Sequence, residues 1–203
     1  NPISDLKKKK VDILVNLSAS PYTFKKLELR SKVSSFAAKY LQVPLIYVNQ
    51  IGANDNLIFD GNSFILDKNG SKIKQLKSFS EDLSSWHIEQ TIPEKKEFEQ
   101  SEISSIFDAL VLGVRDYAQK CGFKTALIGL SGGIDSALVS AIATAALGSN
   151  NIYCVSMPSK WSSSHSKSDA KDLARRLKIN FNSIPIENLM NSFEESFIKT
   201  ISF

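Results

Sequence analysis

Between Thr125 and Ile186 the sequence alternates short, continuously apolar runs with longer stretches of helical period, and that alternation restricts the fold more than anything else in the chain. Thr125–Leu130 (TALIGL), Asn151–Met157 (NIYCVSM) and Asn180–Ile186 read as strands, with helices over Ile134–Leu147 and Ser166–Lys178 between them. Each connection is long enough for a helical crossover, so the strands are expected to be parallel and covered on both faces. Asn188–Ile201 begins a further helix. The class is α/β.

The part before it has a different rhythm. Lys10–Leu17 (KVDILVNL) reads as a buried strand that stops at the turn-rich Ser18-Ala19-Ser20-Pro21. From Thr23 to Gln42 the apolar positions Phe24, Leu27, Val33, Phe36, Ala37, Tyr40 and Leu41 recur at helical spacing, with Thr23 as the expected N-cap. Pro44–Ile51 and Gly61–Asp67 are expected strands, and Asp67-Lys68-Asn69-Gly70 a hairpin turn from which Ile73–Phe79 returns. Residues 89–102 (EQTIPEKKEFEQSE) carry seven charges and a proline with little apolar material, the profile of a linker. The expectation is therefore one domain over 1–88 and a second over 103–203. The second opens with a helix, Ile103–Lys120, whose stripe Ile106, Phe107, Leu110, Val114 and Tyr117 is expected to face the core.

Composition narrows the function classes. At 42% hydrophobic the 203 residues can bury a core, yet no apolar run approaches the ~18 residues of a membrane span, and residues 1–10 hold no apolar secretion signal. A cytoplasmic protein is expected. Residues 1–90 hold 13 Lys and Arg against 9 Asp and Glu, and residues 91–203 hold 12 against 12. The whole excess equals Lys7–Lys10, which reads as a solvated helix end or loop, so no nucleic-acid partner is expected. Cys121 and Cys154 lack CxxC spacing and have only His87 and His165 to join them, which argues against structural zinc, an iron–sulfur cluster or a disulfide framework.

Chemistry is concentrated in Leu130-Ser131-Gly132-Gly133-Ile134-Asp135-Ser136, where a buried strand turns into a helix. Two glycines let successive amides converge on an anion, and the helix start adds its partial positive charge. Ser131 and Ser136 can donate to phosphate oxygens. A carboxylate beside phosphates repels them unless a divalent cation lies between, so Asp135 reads as a Mg²⁺ ligand. The plainer alternative is a Gly-Gly turn in which Asp135 and Ser136 are first-turn residues. The Ala-rich helix behind the loop (IDSALVSAIATAAL) can pack close to the sheet.

The string SGGIDS resembles the pyrophosphate loop of the N-type ATP pyrophosphatases, which cut ATP between its α and β phosphates. Within that group LIGLSGGIDSALVSAIATAALG and CVSMPSKWSSSHSKSDAKDLARRLKI are similar to glutamine-dependent NAD synthetases. Upstream, Leu17–Tyr22 (LSASPY), Val48–Asp55 (VNQIGAND) and Phe59–Phe64 (FDGNSF) resemble late segments of the nitrilase-like amidase domain fused to that synthetase. The resemblance implies the C-terminal part of a nitrilase-like αββα sandwich followed by the start of a doubly wound parallel-sheet ATP pyrophosphatase domain. It further implies ATP-dependent amidation of deamido-NAD to NAD through an acyl-adenylate, with ammonia from glutamine, ATP and Mg²⁺ as the bound groups, and a homo-oligomer.

Carried over by residue, Gly129, Leu130, Ser131, Gly132, Gly133, Ile134, Asp135 and Ser136 would hold the ATP phosphates, with Asp135 on the metal. Ser20 and Lys26 match positions that contact glutamine, although Lys26 stands where an Arg can stand; a turn residue and a solvated charge are the plainer readings. No amidase catalytic residue is expected within the chain, because the family's Glu, Lys and nucleophilic Cys would lie upstream of Asn1. Cys121 and Cys154 cannot replace that Cys. The chain thus reads as an internal fragment, expected to be inactive when isolated. Trp86 and His87 read as packing or surface residues, Trp161 and His165 as open to a nucleotide contact, and Asp60 and Ser63 as organisers of a turn and strand. Rival readings are another member of the pyrophosphatase group such as a GMP synthetase, or a non-catalytic nucleotide-binding fragment.

Overall fold

The computed structural model describes residues 2–88 and 101–201. Residues 89–100 of the expected linker lie outside the described residues. The chain divides into two compact units, Asn1–Tyr117 and Ala118–Phe203.

In the first unit α1 (Pro2–Lys8) precedes β1 (Leu14–Ser18), α2 (Lys26–Leu41) and β2 (Leu45–Asn49), and then come β3 (Ile51–Asn54), β4 (Leu57–Asp60), β5 (Phe64–Leu66) and β6 (Lys72–Gln75). β1 runs parallel to β2 from Leu14↔Leu45 to Ser18↔Asn49, with α2 as the crossover. β5 is antiparallel to β2 and to β6, giving the sheet order β1-β2-β5-β6. The turn between β5 and β6 forms where expected: Gly70 has φ +73°, its N–H donates to the Asp67 carbonyl, and Asp67 Oδ1 accepts from the amides of Asn69 and Ser71. Ala37 and Ala38 of α2 pack on Leu45, Tyr47, Phe64 and Leu66, with the Tyr47 and Phe64 rings stacked at 4.9 Å.

The exposed Lys7–Lys10 run is a helix end as expected: Lys7 and Lys8 close α1, with Lys7 over the Tyr40 ring at 4.2 Å, and Lys9 and Lys10 follow in a turn. Other expectations shift. The expected strand Pro44–Ile51 breaks at Gln50, and residues 51–60 form a separate β3–β4 hairpin turned at Asp55, φ +52°. α2 starts at Lys26 behind Lys25, φ +61°, so Thr23 is not its N-cap. The inward face of α2 is only partly the periodic apolar one: Ala37 is buried and Leu27 packs on the core, but Val33 and Phe36 are 62% and 68% exposed, and Arg30, Ser34 and Ala38 are buried as well. Small residues on that face let the helix approach the sheet, and Arg30 finds partners there.

α3 (Glu102–Cys121) behaves alike. Its expected core stripe is partly exposed, from 37% at Phe107 and Val114 to 63% at Tyr117, while Ala109, Val111, Leu112 and Ala118 are buried. Ala109 and Leu112 pack with Phe79, Tyr22, Ile51 and Ile58. A Cβ on Gly113 would stand 3.3 Å from Ile58 Cδ1, so glycine sets this close approach. Asp116 Oδ2 accepts from the Ala53 amide at 2.7 Å, tying the helix to the hairpin.

The second unit continues with β7 (Ala126–Gly129), α4 (Ile134–Leu147), β8 (Ile152–Ser156), α5 (Ser164–Leu177), β9 (Asn180–Ser183) and α6 (Glu187–Thr200). The three strands pair in parallel in the order β7-β8-β9. Leu130, Ile152 and Cys154 form one core with Ala143 of α4, Ala170 and Ala174 of α5, and Ile179. Alanines at these contacts bring both helices close to the sheet. Leu127 and Tyr153, on the alternate face, are 75% and 45% exposed, so among the described residues the strands are not covered on both faces as expected.

Candidate functional site

β7 ends at Gly129, and the buried Leu130 anchors the loop through its N–H, which donates to the Val155 carbonyl at 2.9 Å. Ser131 through Gly133 then curl into α4. The left-handed residue is Gly132, φ +86°, whereas Gly133 is extended at φ −87° and serves as the N-cap. Glycine is required at 132 on packing grounds too: a Cβ there would lie 2.1 Å from the Ser166 carbonyl oxygen, in the first turn of α5. Ser163 caps that turn, its Oγ accepting from the Ser166 amide at 3.0 Å. The loop and the start of α5 are thus fitted backbone to backbone.

Within the loop the serines form a small frame. Ser136 Oγ accepts from the Ser131 amide at 3.2 Å and donates to the Gly133 carbonyl at 3.0 Å, and Ser131 Oγ accepts from the Gly133 amide at 3.2 Å. The two hydroxyls are 3.0 Å apart. The amides of Ile134, Asp135 and Ser136 open α4 and have no hydrogen-bond partner among the described residues, as expected of first-turn amides. Gly129, Leu130 and Ser131 line a cleft of about 190 Å³ with Ser156, Met157, Ser162 and Lys167. It lies at the C-terminal ends of parallel strands, where open α/β sheets take their ligands. Neither Trp161 nor His165 lines it.

Asp135 is exposed on the first turn of α4 and makes no ion pair among the described residues. One free carboxylate beside a run of amides suits Mg²⁺, which keeps most of its coordination for water and phosphate oxygens. Cys154 is buried beneath α4 with its sulfur 3.7 Å from Ser140 Oγ, and Cys121 is exposed at the end of α3.

In the first unit Ser20 follows β1 and is half-buried. Its amide donates to Asn49 Oδ1 at 2.9 Å and its hydroxyl accepts from Arg30 Nε at 3.1 Å. Arg30 Nη2 donates to the carbonyls of Ser20 and Pro21 at 2.7 and 3.1 Å. Nη1 lies 2.8 Å from Asp60 Oδ1 in an ion pair and directs its hydrogen bond to Oδ2 at 3.0 Å, leaving Oδ1 without a directed bond. Asn62 Nδ2 also donates to Oδ2, at 2.8 Å. Arg30 and Asp60 are 6% and 1% exposed.

Lys26 lines a cavity of about 380 Å³ with Tyr22, Lys25, Lys72, Asp60 and Glu102, a lining that does not include Ser20. Burial, with Asp60 and Glu102 nearby, pushes the Tyr22 phenol up from its ordinary value. Arg30 connects the two places, since it holds Ser20 and pairs with the cavity's Asp60. Sequence reading missed Arg30 because an arginine inside an exposed-looking helical period carries no sign of burial. Asp60 exceeds the turn role expected of it, and Ser63 fits its own by accepting from the Asn49 amide at 3.0 Å.

Residues 1–96 match the carbon-nitrogen hydrolase family and residues 106–202 the NAD synthase family. The glutamine-dependent NAD(+) synthetase of Synechocystis sp. (strain ATCC 27184 / PCC 6803 / Kazusa) is 46% identical over 203 residues, covering 98% of this chain and 36% of that protein. In both of its parts the chain is similar to glutamine-dependent NAD(+) synthetases. The Acinetobacter baylyi relative of the same description is 40% identical, covering 97% of this chain and 37% of its own length. The solved glutamine-dependent NAD+ synthetase of Acinetobacter baumannii, in complex with ADP, superposes with a TM-score of 0.90 at 36% identity, over 98% of this chain and 38% of that one. The Cytophaga hutchinsonii enzyme, at 18% identity and a TM-score of 0.84 over 96% of this chain and 39% of that one, shares the fold. The chain therefore spans just over a third of its relatives' length. A nitrilase-like part followed by a synthetase part is the order that the SASPY, VNQIGAND and SGGIDS segments imply.

Proposed function

We propose that the chain is a segment of an enzyme that amidates deamido-NAD to NAD at the expense of ATP, with ammonia released from glutamine. In this reading Gly129–Ser136 binds the ATP phosphates and Asp135 holds Mg²⁺, which when bound neutralises charge on the phosphates. Gly132 supplies the left-handed bend, the first-turn amides of α4 donate to the anion, and Ser131 offers its hydroxyl, while Ser136 donates to the Gly133 carbonyl and holds the loop in shape. Adenylation turns a poorly reactive carboxylate into an acyl-adenylate that ammonia can open, releasing AMP and pyrophosphate. Ser20 and Lys26 contact glutamine, and no amidase nucleophile comes from Cys121 or Cys154.

The observation that carries the reading is the SGGIDS loop bent at the end of β7, with the first-turn amides of α4 unpaired among the described residues. The ADP complex of the Acinetobacter baumannii relative supports an adenine nucleotide as ligand. The domain boundary is proposed at the charged stretch 89–102, the place of action is the cytoplasm, and the partners are small molecules together with further copies of the protein. No helix among the described residues is long and apolar enough to cross a membrane.

The test is product analysis on the full-length protein that carries this segment. MgATP, deamido-NAD and ammonium should give NAD, AMP and pyrophosphate in equal amounts. ADP and phosphate as products, or no NAD with either ammonium or glutamine, would refute it.

A further inference from the structure

We propose that Arg30 is a positioning residue of the glutamine site, fixing Ser20 as a hydrogen-bond donor toward an acceptor oxygen of the substrate; this rests on the reading of Ser20 as a glutamine contact. Every backbone polar group of Ser20 is committed within the protein. Its N–H is taken by Asn49 Oδ1, and its carbonyl accepts from Arg30 Nη2 at 2.7 Å and from Asn49 Nδ2 at 3.2 Å. Its hydroxyl oxygen accepts from Arg30 Nε at 3.1 Å. A guanidinium has no lone pair to offer, so the Ser20 hydroxyl hydrogen cannot point at Arg30. It has no acceptor among the described residues, and it is left to a ligand. The groups of glutamine that can meet it are the α-carboxylate and the carboxamide carbonyl, not the ammonium.

Arg30 can impose this because it is itself immobilised. It is 6% exposed, its charge is balanced by Asp60, and Asp60 is steadied by Asn62, which in turn accepts from Gln75 Nε2 at 3.0 Å. The planar fork reaches three acceptors on Ser20 and Pro21 while holding Asp60. Lysine could keep the ion pair but not the fork.

The experiment compares glutamine-driven and ammonium-driven NAD formation in the full-length protein. Arg30→Lys should raise the KM for glutamine at least tenfold, with the ammonium-driven rate within twofold of the unmodified protein. Ser20→Ala should raise the same KM, and adding Arg30→Lys to it should change the KM less than twofold further, since Arg30 acts through Ser20. A glutamine KM unchanged by Arg30→Lys, a parallel fall of both rates, or full multiplication of the two effects overturns the proposal and makes Arg30 a fold residue only. Should Arg30→Lys fail to fold, Asn49→Ala removes the other half of the clamp and carries the same expectation and the same refutation. A glutamine KM unchanged by Ser20→Ala removes the underlying glutamine contact, and with it the proposal, whatever Arg30→Lys does.

Discussion

Gly132→Ala is the sharpest perturbation of the loop. Two costs arise together. An alanine must adopt φ +86°, a left-handed conformation costing about 1–2 kcal/mol for a residue with a Cβ. That Cβ must also displace the Ser166 carbonyl oxygen, 2.1 Å away, with the Ser166 Cα and carbonyl carbon both at 2.8 Å. These are backbone atoms of a capped helix, so relief requires α5 to slide or the loop to refold, and overpacking of this kind costs about 1–3 kcal/mol. The sum, roughly 2–5 kcal/mol, is a large share of the ~5–15 kcal/mol that holds a domain together. If the loop gives way instead, the lost preorganisation appears in binding, and about 2 kcal/mol is already a thirtyfold weaker affinity.

The control is next door: at Gly133, φ −87°, a Cβ meets only Ser131 Oγ at 3.4 Å. Gly133→Ala should therefore leave the fold within about 1 kcal/mol. Hydrogen exchange over residues 129–137 and 163–167, with MgATP titration of the full-length protein, reads both effects. Gly132→Ala should deprotect the hydrogen-bonded amides among them, those of Leu130, Ser131, Gly133, Ala137, Ser166 and Lys167, and weaken MgATP at least thirtyfold. Unchanged protection and affinity in Gly132→Ala, or a larger effect in Gly133→Ala, would refute the argument.

Asp135→Ala should reduce MgATP affinity at least tenfold yet cost no more than about 1 kcal/mol in thermal unfolding, because the carboxylate is exposed and contributes only a first-turn charge. Ser136→Ala removes the acceptor for the Ser131 amide and the donor to Gly133, and should cost about 1–3 kcal/mol with a matching rise in loop hydrogen exchange. Phe64→Ala deletes a fully buried ring stacked on Tyr47 and should cost about 3–5 kcal/mol, read as a lower denaturation midpoint with the SGGIDS loop's nucleotide affinity unchanged.

The parallel strands and helices from Thr125 onward were legible because continuous apolar runs and an intervening helical period leave few alternatives. The SGGIDS bend was legible to within one residue: the string announces a left-handed position, but only the approach of Ser166 decides that it is Gly132 rather than Gly133. The inward faces of α2 and α3 were legible only in part. Periodicity placed Leu27 and Ala37 rightly, but it follows large apolar residues such as the exposed Val33 and Phe36, whereas close packing selected Ala38 on one helix and Ala109, Leu112 and Gly113 on the other. The β3–β4 hairpin was missed because Ile51-Gly52-Ala53 carries no alternation. Arg30 and Asp60 were out of reach, since 30 residues separate them and nothing local signals a buried ion pair.

The central claim is that the bend between β7 and α4 grips the phosphates of ATP. A crystal structure of the full-length protein with magnesium and a non-hydrolysable ATP analogue tests it most directly. Phosphate oxygens on the amides of residues 131–136, with the cation touching Asp135, are the predicted result; the nucleotide bound elsewhere, with that bend bare, would contradict it.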